Sequence, residues 1–97
     1  MKLLCVIRDR LAESIGPVMA FPAVPAAIRS FSDLALDPQT MIYRHPEDFD
    51  ILKLAEIDER SGQLTICEPP ELLLSGVQWA AAQKPQVPEQ FSLLKEA

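Results

Sequence analysis

The chain is predicted to form an α+β domain with the element order strand, strand, helix, strand, strand (ββαββ). Three features support this prediction: two short apolar runs on either side of a Gly-Pro turn, one amphipathic helical segment, and a longer strand that ends in an acidic turn with glycine. Ninety-seven residues suit one domain, and a chain of this size buries only about 60–65% of the surface that its unfolded form exposes. We therefore expect the small core to need additional support.

The first strand is predicted at residues 3–7, where every side chain is apolar and two are β-branched. Apolar side chains on both faces are typical of a strand in the centre of a sheet. The second strand is predicted at residues 18–21, after Gly16-Pro17. Because Pro17 cannot donate a hydrogen bond to a neighbouring strand, we expect the second strand at the edge of the sheet, paired with the first as a hairpin.

A helix is predicted over residues 24–36. Pro25 fits its first turn, where the missing N–H is not needed, and Asp37-Pro38 ends it because the residue before a proline disfavours the α conformation. Apolar residues recur along this segment at spacings of three and four, as expected for one buried helix face: Ala27, Ile28, Phe31, Leu34 and Ala35.

The third and fourth strands are predicted at residues 49–57 and 64–67, joined by a turn in which Gly62 takes the left-handed position. A helix that runs back along the sheet makes the third strand antiparallel to the first. The predicted sheet is therefore four-stranded and fully antiparallel, in the order 2-1-3-4. Alternation in the third strand places Phe49, Ile51, Ala55 and Ile57 on one face and Leu52 and Leu54 on the other.

One main helix covers only one face of this sheet, so the other face needs a second cover. We expect either the C-terminal segment or a partner subunit there, with a homodimer favoured. The residues predicted for partner contact or self-association are Leu4, Val6, Leu52, Leu54 and Trp79. Residues 1–68 are thus predicted as the ββαββ domain, residues 69–83 as a segment packed on the domain or a partner, and residues 84–97 as a mobile tail.

The net charge of −5 is unevenly distributed along the chain. Residues 1–45 carry five Lys or Arg against four Asp or Glu, whereas residues 46–97 carry four against ten. Since nucleic-acid binding depends on cations that neutralise phosphates, any contact with DNA must be local. The candidate nucleic-acid-binding residues are Lys2, Arg8, Arg10, Arg29, Arg44 and Lys53. The alternative interpretation is a scattered set of solvated charges; a groove beside Tyr43, Phe49 or Trp79 would allow bases to stack.

The sequence contains no motif of an enzyme, a metal site or a cofactor site. His45 is the only histidine, and the acidic residues after it are typical of a helix start, so we assign it a structural role. Phosphate loops of the form G-x-x-x-x-G-K-[ST] or G-x-G-x-x-G do not occur. The acidic turn lacks the alternating oxygen ligands of a calcium loop. We therefore expect no enzyme activity, no metal and no cofactor.

Cys5 and Cys67 fall on the first and fourth predicted strands. These positions are about 10 Å apart in the predicted sheet, and a disulfide requires Cα atoms closer than about 7 Å. We therefore predict two buried thiols and a reducing compartment. The N-terminal apolar run is too short for a signal peptide, and no run is long enough to span a membrane, so we expect a cytosolic protein without membrane contact.

Four motifs carry a family resemblance: Gly16-Pro17, Arg29-x-Phe31, His45-Pro46-Glu47-Asp48 before an aromatic, and Lys53-Leu54-x-Glu56. With them, the chain resembles the small nonstructural protein of gokushovirus-type microviruses, which are phages with circular single-stranded DNA. The resemblance implies a non-virion protein of the host cytoplasm that assists or regulates replication or packaging of viral single-stranded DNA, with direct DNA binding as one route. The alternative is a module that binds a phage or host replication protein without touching DNA.

Overall fold

The computed structural model of the protein describes residues 1–83. The first half contains strand β1 (Lys2–Asp9), the short strands β2 (Ser14–Ile15) and β3 (Met19–Phe21), helix α1 (Val24–Leu36) and the short helix α2 (Met41–Arg44). A turn of 3-10 helix (Pro46–Asp48) then leads into β4 (Phe49–Ile57), β5 (Leu64–Ser75) and α3 (Gly76–Gln83). The predicted α+β class is confirmed. The predicted tail at residues 84–97 lies outside the described residues.

The strands form one sheet in which all neighbouring pairs are antiparallel. β1 lies between β4 and an edge that consists of two pieces, because β2 pairs with the end of β1 and β3 with its start. β4 in turn pairs with β5. The predicted order 2-1-3-4 therefore differs in one respect: the edge strand is split at Gly16–Val18, where Pro17 has no N–H to donate.

Helix α1 has the predicted bounds, and its buried face consists of Ala27, Phe31 and Ala35. The segment between α1 and β4 contains two helical elements, α2 and the 3-10 turn. Thr40 begins α2, since its hydroxyl accepts a hydrogen bond from the Tyr43 backbone at 3.1 Å and donates one to the Leu34 carbonyl at 2.6 Å. The end of α1 is thereby tied to the start of α2.

The core lies between α1 and one face of the sheet, which we call the first face. It contains Leu3, Cys5, Phe49 and Ile51 from β1 and β4, packed against the buried residues of α1. Trp79 of α3 belongs to the same core. None of the helices within residues 1–83 is long and apolar enough to cross a membrane.

Helix α3 packs beside α1. The ring of Trp79 meets Phe31 edge-to-face, with centroids 6.5 Å apart, and its Nε1 donates a hydrogen bond to Ser32 Oγ at 3.0 Å. The C-terminal segment is one of the two covers expected for the second face, but its helix α3 packs on the first face of the domain. Residues up to Ser75 instead extend β5, which runs through the predicted domain boundary at residues 68 and 69.

Irregular pairing explains why β5 is longer than predicted. Between Lys53 and Ala55 the register with β4 shifts, so that residues 67–70 bulge out while the strand continues on both sides. A second bulge in β4, opposite the Leu4/Cys5 step of β1, makes Leu54 an extra residue. It places Ala55 opposite Leu4 and Ile57 opposite Lys2, both on the second face, and not with Phe49 and Ile51 as strict alternation predicted.

Candidate nucleic-acid interface

The structure does not bring the six candidate basic residues into one groove. Lys2 and Arg8 sit at opposite ends of β1, six residues or about 20 Å apart. Arg29 is exposed on α1 and Arg44 is exposed at the end of α2. Only Arg8 and Arg10 come together, at the end of β1.

Arg8 and Arg10 meet at the buried carboxylate of Asp50, and we call these three residues the arginine cluster. Arg8 Nη2 and Arg10 Nε each lie 3.2 Å from Asp50 Oδ2. The pairing is set by the sheet, because Arg8 is the register partner of Asp50. The Arg10 guanidinium also donates to the Glu47 carbonyl oxygen. Asp50 is 3% exposed, so a fixed acceptor orients both guanidinium groups.

Both guanidinium groups remain accessible, with side-chain exposures of 44% for Arg8 and 41% for Arg10. Each guanidinium has five N–H donors. Arg8 donates one hydrogen bond to Asp50 and Arg10 donates one to the Glu47 carbonyl, while the contact between Arg10 and Asp50 is an ion pair, so most of these donors stay free. An open groove of about 500 Å³ lies alongside, lined by both arginines with Glu13, Ser14 and Ile15. Glu13 places one negative charge at this groove, so the attraction for an anion is local and modest.

The Asp50 carboxylate is not fully satisfied within residues 1–83. Its Oδ2 serves both arginines, whereas its Oδ1 is buried and has no hydrogen-bond partner among these residues. A buried acceptor without a donor costs about 1–3 kcal/mol.

Lys53 and Lys2 are engaged by carboxylates. Lys53 Nζ lies 3.0 Å from Glu71 and 3.1 Å from Glu56, and only 14% of its side chain is exposed. Hydrogen bonds, first to Glu71 and then to Glu56, raise the pKa of Lys53. Lys2 lies 3.9 Å from Glu59. Within the described part of the chain, Arg29 and Arg44 form no ion pair.

The aromatic residues considered for base stacking differ in accessibility. Phe49 and Trp79 are each 9% exposed and lie in the core. Tyr43 is 49% exposed on α2. Arg10 donates its backbone N–H to the Asp48 carbonyl at 2.9 Å, which holds the segment after α2 against the arginine cluster. Tyr43 is the accessible ring of these three but does not line the groove beside the arginines, and Trp79 is not available to a partner.

Comparison with known proteins decides the family. Residues 2–79 match the family model described as Phage ORF5 protein. The chain belongs to the Phage ORF5 protein family. Protein ORF5 of Chlamydia phage 1 is 38% identical over 61 residues, which cover 59% of this chain and 64% of that protein. No solved structure matches.

The predicted resemblance to a gokushovirus-type phage protein is thereby confirmed. The match to the relative from Chlamydia phage 1 spans less than two thirds of that protein's length. Membership of the Phage ORF5 family establishes a phage protein.

Two features of this Phage ORF5 family member were missed at the sequence level. Asp50 was treated only as one of several acidic residues near a turn, although a charged residue inside the apolar run Phe49–Leu52 signals a buried partner. The exposed apolar side chains of β5 were also missed.

His45 begins the 3-10 turn without a side-chain hydrogen bond to it, so its side chain does not cap the turn.

The two thiols are expected to differ in reactivity. Cys5 is fully buried, and burial raises its pKa because the thiolate would lose its hydration; nearby Lys53 opposes this only in part. Cys67 is half-buried, not buried as predicted. With an aromatic disulfide reagent at pH 8, Cys67 should react about 100-fold faster than Cys5, because the Cys5 thiol becomes accessible only when the surrounding structure opens locally.

The Cys67→Ser and Cys5→Ser variants assign the two reaction phases. In denaturant both thiols should react at similar rates. Equal rates in the native protein would contradict the packing of Cys5 beneath α1.

Proposed function

We propose that this Phage ORF5 family protein assists the production of the phage's single-stranded DNA, in replication or packaging, within the host cytoplasm and without catalysing a reaction. The arginine cluster supports direct contact with DNA, because it is the place in residues 1–83 where two accessible guanidinium groups are held side by side. The family membership supports the phage context.

The contact we propose is local. Arg8 and Arg10 present donors to one or two backbone phosphates, and Asp50 keeps both side chains in place. Tyr43 offers a ring on which a neighbouring base can stack, a contact of about 1–3 kcal/mol. Because the rest of the chain is acidic, we expect weak affinity that depends strongly on salt.

The salt dependence gives a quantitative prediction. Neutralising two phosphates of a single strand gives a slope of about −1.4 for log K against log salt, so binding should weaken about sevenfold between roughly 50 and 200 mM salt. Fluorescence anisotropy with a labelled single-stranded oligonucleotide measures this slope. Arg8→Gln and Arg10→Gln should each reduce its magnitude by about 0.7 and weaken binding at low salt.

Arg29→Gln is the matched control, since Arg29 carries the same charge on an exposed helix surface away from the cluster. It should leave the slope unchanged. Arg8→Gln and Arg10→Gln each leave Asp50 with one arginine partner, and Arg29→Gln leaves it with both. Circular dichroism checks that each variant is folded. No binding at the lower salt concentration would refute the DNA contact, and an equal loss from Arg29→Gln would reduce it to generic charge attraction.

A second candidate is a protein-interaction module that binds a phage or host replication protein. The observation that favours it is the apolar second face of the sheet, where Leu72 and Ile66 are 51% and 57% exposed. If this candidate is correct, substitutions on that face abolish the phage's single-stranded DNA synthesis while oligonucleotide binding is absent or unchanged.

A further inference from the structure

The groove beside the arginine cluster contains a carboxylate that the proposed phosphate contact does not use. Glu13 lines this groove together with Arg8, Arg10, Ser14 and Ile15. Although both guanidinium groups line the same groove, neither forms an ion pair with Glu13 within the described part of the chain. The two carboxylate oxygens of Glu13 are therefore available to a ligand as hydrogen-bond acceptors.

The backbone on both sides of Glu13 is held in place. Before it, Asp9 Oδ1 accepts hydrogen bonds from the backbone N–H groups of Leu11 and Ala12 at 3.0 and 3.1 Å. After it, Ser14 pairs with Asp9 in the sheet. Glu13 itself has a φ of +55°, a conformation that glutamate rarely adopts and that is often found at ligand-binding sites. The position of Glu13 beside the two arginines is thus fixed by its backbone.

We propose that Glu13 contacts a base next to the bound phosphates and selects guanine. This proposal rests on the proposed contact between the arginine cluster and single-stranded DNA. The Watson–Crick edge of guanine carries two adjacent donors, the N1–H and the 2-amino group, and a carboxylate can accept both at once. A single strand leaves this edge accessible, whereas base pairing occupies it in a duplex.

The other three bases fit a carboxylate less well. Adenine and cytosine each present one amino group beside a ring nitrogen, whose lone pair would face the second carboxylate oxygen and repel it. Thymine presents a single N–H between two carbonyl oxygens. Ile15, 60% exposed in the same groove, offers an apolar surface to the face of any base. The choice between bases therefore falls to Glu13.

Fluorescence anisotropy of the full chain with labelled pentanucleotides at roughly 50 mM salt tests the proposal. The pentanucleotides consist of thymidines around one varied central base: guanine, adenine, cytosine, thymine or hypoxanthine. The guanine pentanucleotide should bind about tenfold more tightly than the thymine one, since a bidentate contact to a base discriminates by about this factor or more. Hypoxanthine is guanine without the 2-amino group, and it should lose most of this advantage.

Glu13→Gln separates a base contact from a simple charge effect. Removing the charge relieves repulsion of the phosphates, so the variant should bind the thymine pentanucleotide as tightly as the wild type or more tightly. An amide offers one acceptor in place of two, so the preference for guanine should fall below about twofold. Asp33→Asn is the matched control, because Asp33 carries the same charge on the exposed surface of α1; it should keep the full preference.

Three results would overturn the proposal. Equal binding of all five pentanucleotides by the wild type removes guanine selection and leaves the DNA contact intact. Absence of binding to every pentanucleotide removes the DNA contact itself, and guanine selection with it. A guanine preference that survives Glu13→Gln, or that Asp33→Asn abolishes equally, shows that Glu13 does not select the base.

Discussion

Gly76→Ala is expected to displace α3 from the sheet. A Cβ at this position would lie 1.6 Å from the Pro46 carbonyl oxygen and 2.5 Å from the Phe49 carbonyl oxygen. Neither backbone atom can rotate away as a side chain can, so the helix has to move. Trp79 would lose its contacts with Phe31 and Ser32, and we expect the free energy of unfolding to fall by about 3 kcal/mol, as for loss of a large aromatic from a core.

Trp79 reports this displacement directly, because it is the only tryptophan in the chain. Its fluorescence emission should shift to longer wavelength as the ring becomes exposed to water. Gly16→Ala is the control: the Cβ there would meet the Ile7 carbonyl oxygen at an ordinary 3.7 Å, and stability should change by less than about 0.5 kcal/mol. Unchanged emission in the Gly76 variant would contradict the close approach of α3 to the 3-10 turn.

Phe31→Ala is expected to have the largest effect on stability. Phe31 is fully buried at the centre of the core and also supports the edge-to-face contact with Trp79. Removing a buried phenyl ring typically costs about 3–5 kcal/mol. For a small domain this is a large fraction of a total stability of about 5–15 kcal/mol. Urea denaturation followed by circular dichroism measures the change.

Leu36→Ala on the same helix is the comparison for Phe31→Ala. Leu36 is 57% exposed at the end of α1, so its truncation should cost less than about 0.5 kcal/mol. Similar losses from the two variants would mean that α1 does not present its Phe31 side to the sheet.

The sequence predicted the elements whose signals are local. Pro25 and Asp37-Pro38 mark both ends of α1, and Gly62, at φ +76°, occupies the turn position that favours glycine. The strand order followed from the apolar character of β1 and β4 and from the direction of the helix. The helix ends and the turn depend on neighbouring residues, so they can be recognised without knowledge of the packing.

Features that depend on register or long-range packing were not predictable in the same way. The fourth strand was predicted to end at residue 67, but the bulge against β4 lets β5 continue past Pro69 and Pro70. The position of α3 depends on a hydrogen bond between residues 47 positions apart, Trp79 and Ser32. The arginine cluster depends on the register that sets Arg8 opposite Asp50. The basic residues were identified from the sequence, whereas the carboxylate that orients two of them was not.

The central structural claim is that α1 and α3 pack on the same face of the sheet. Nuclear Overhauser spectroscopy of the full chain tests it through the indole N–H proton of Trp79. The structure predicts cross-peaks from this proton to the side-chain protons of Ser32. Cross-peaks to the methyl groups of Val6 and Leu52 would instead place α3 on the second face and contradict the claim.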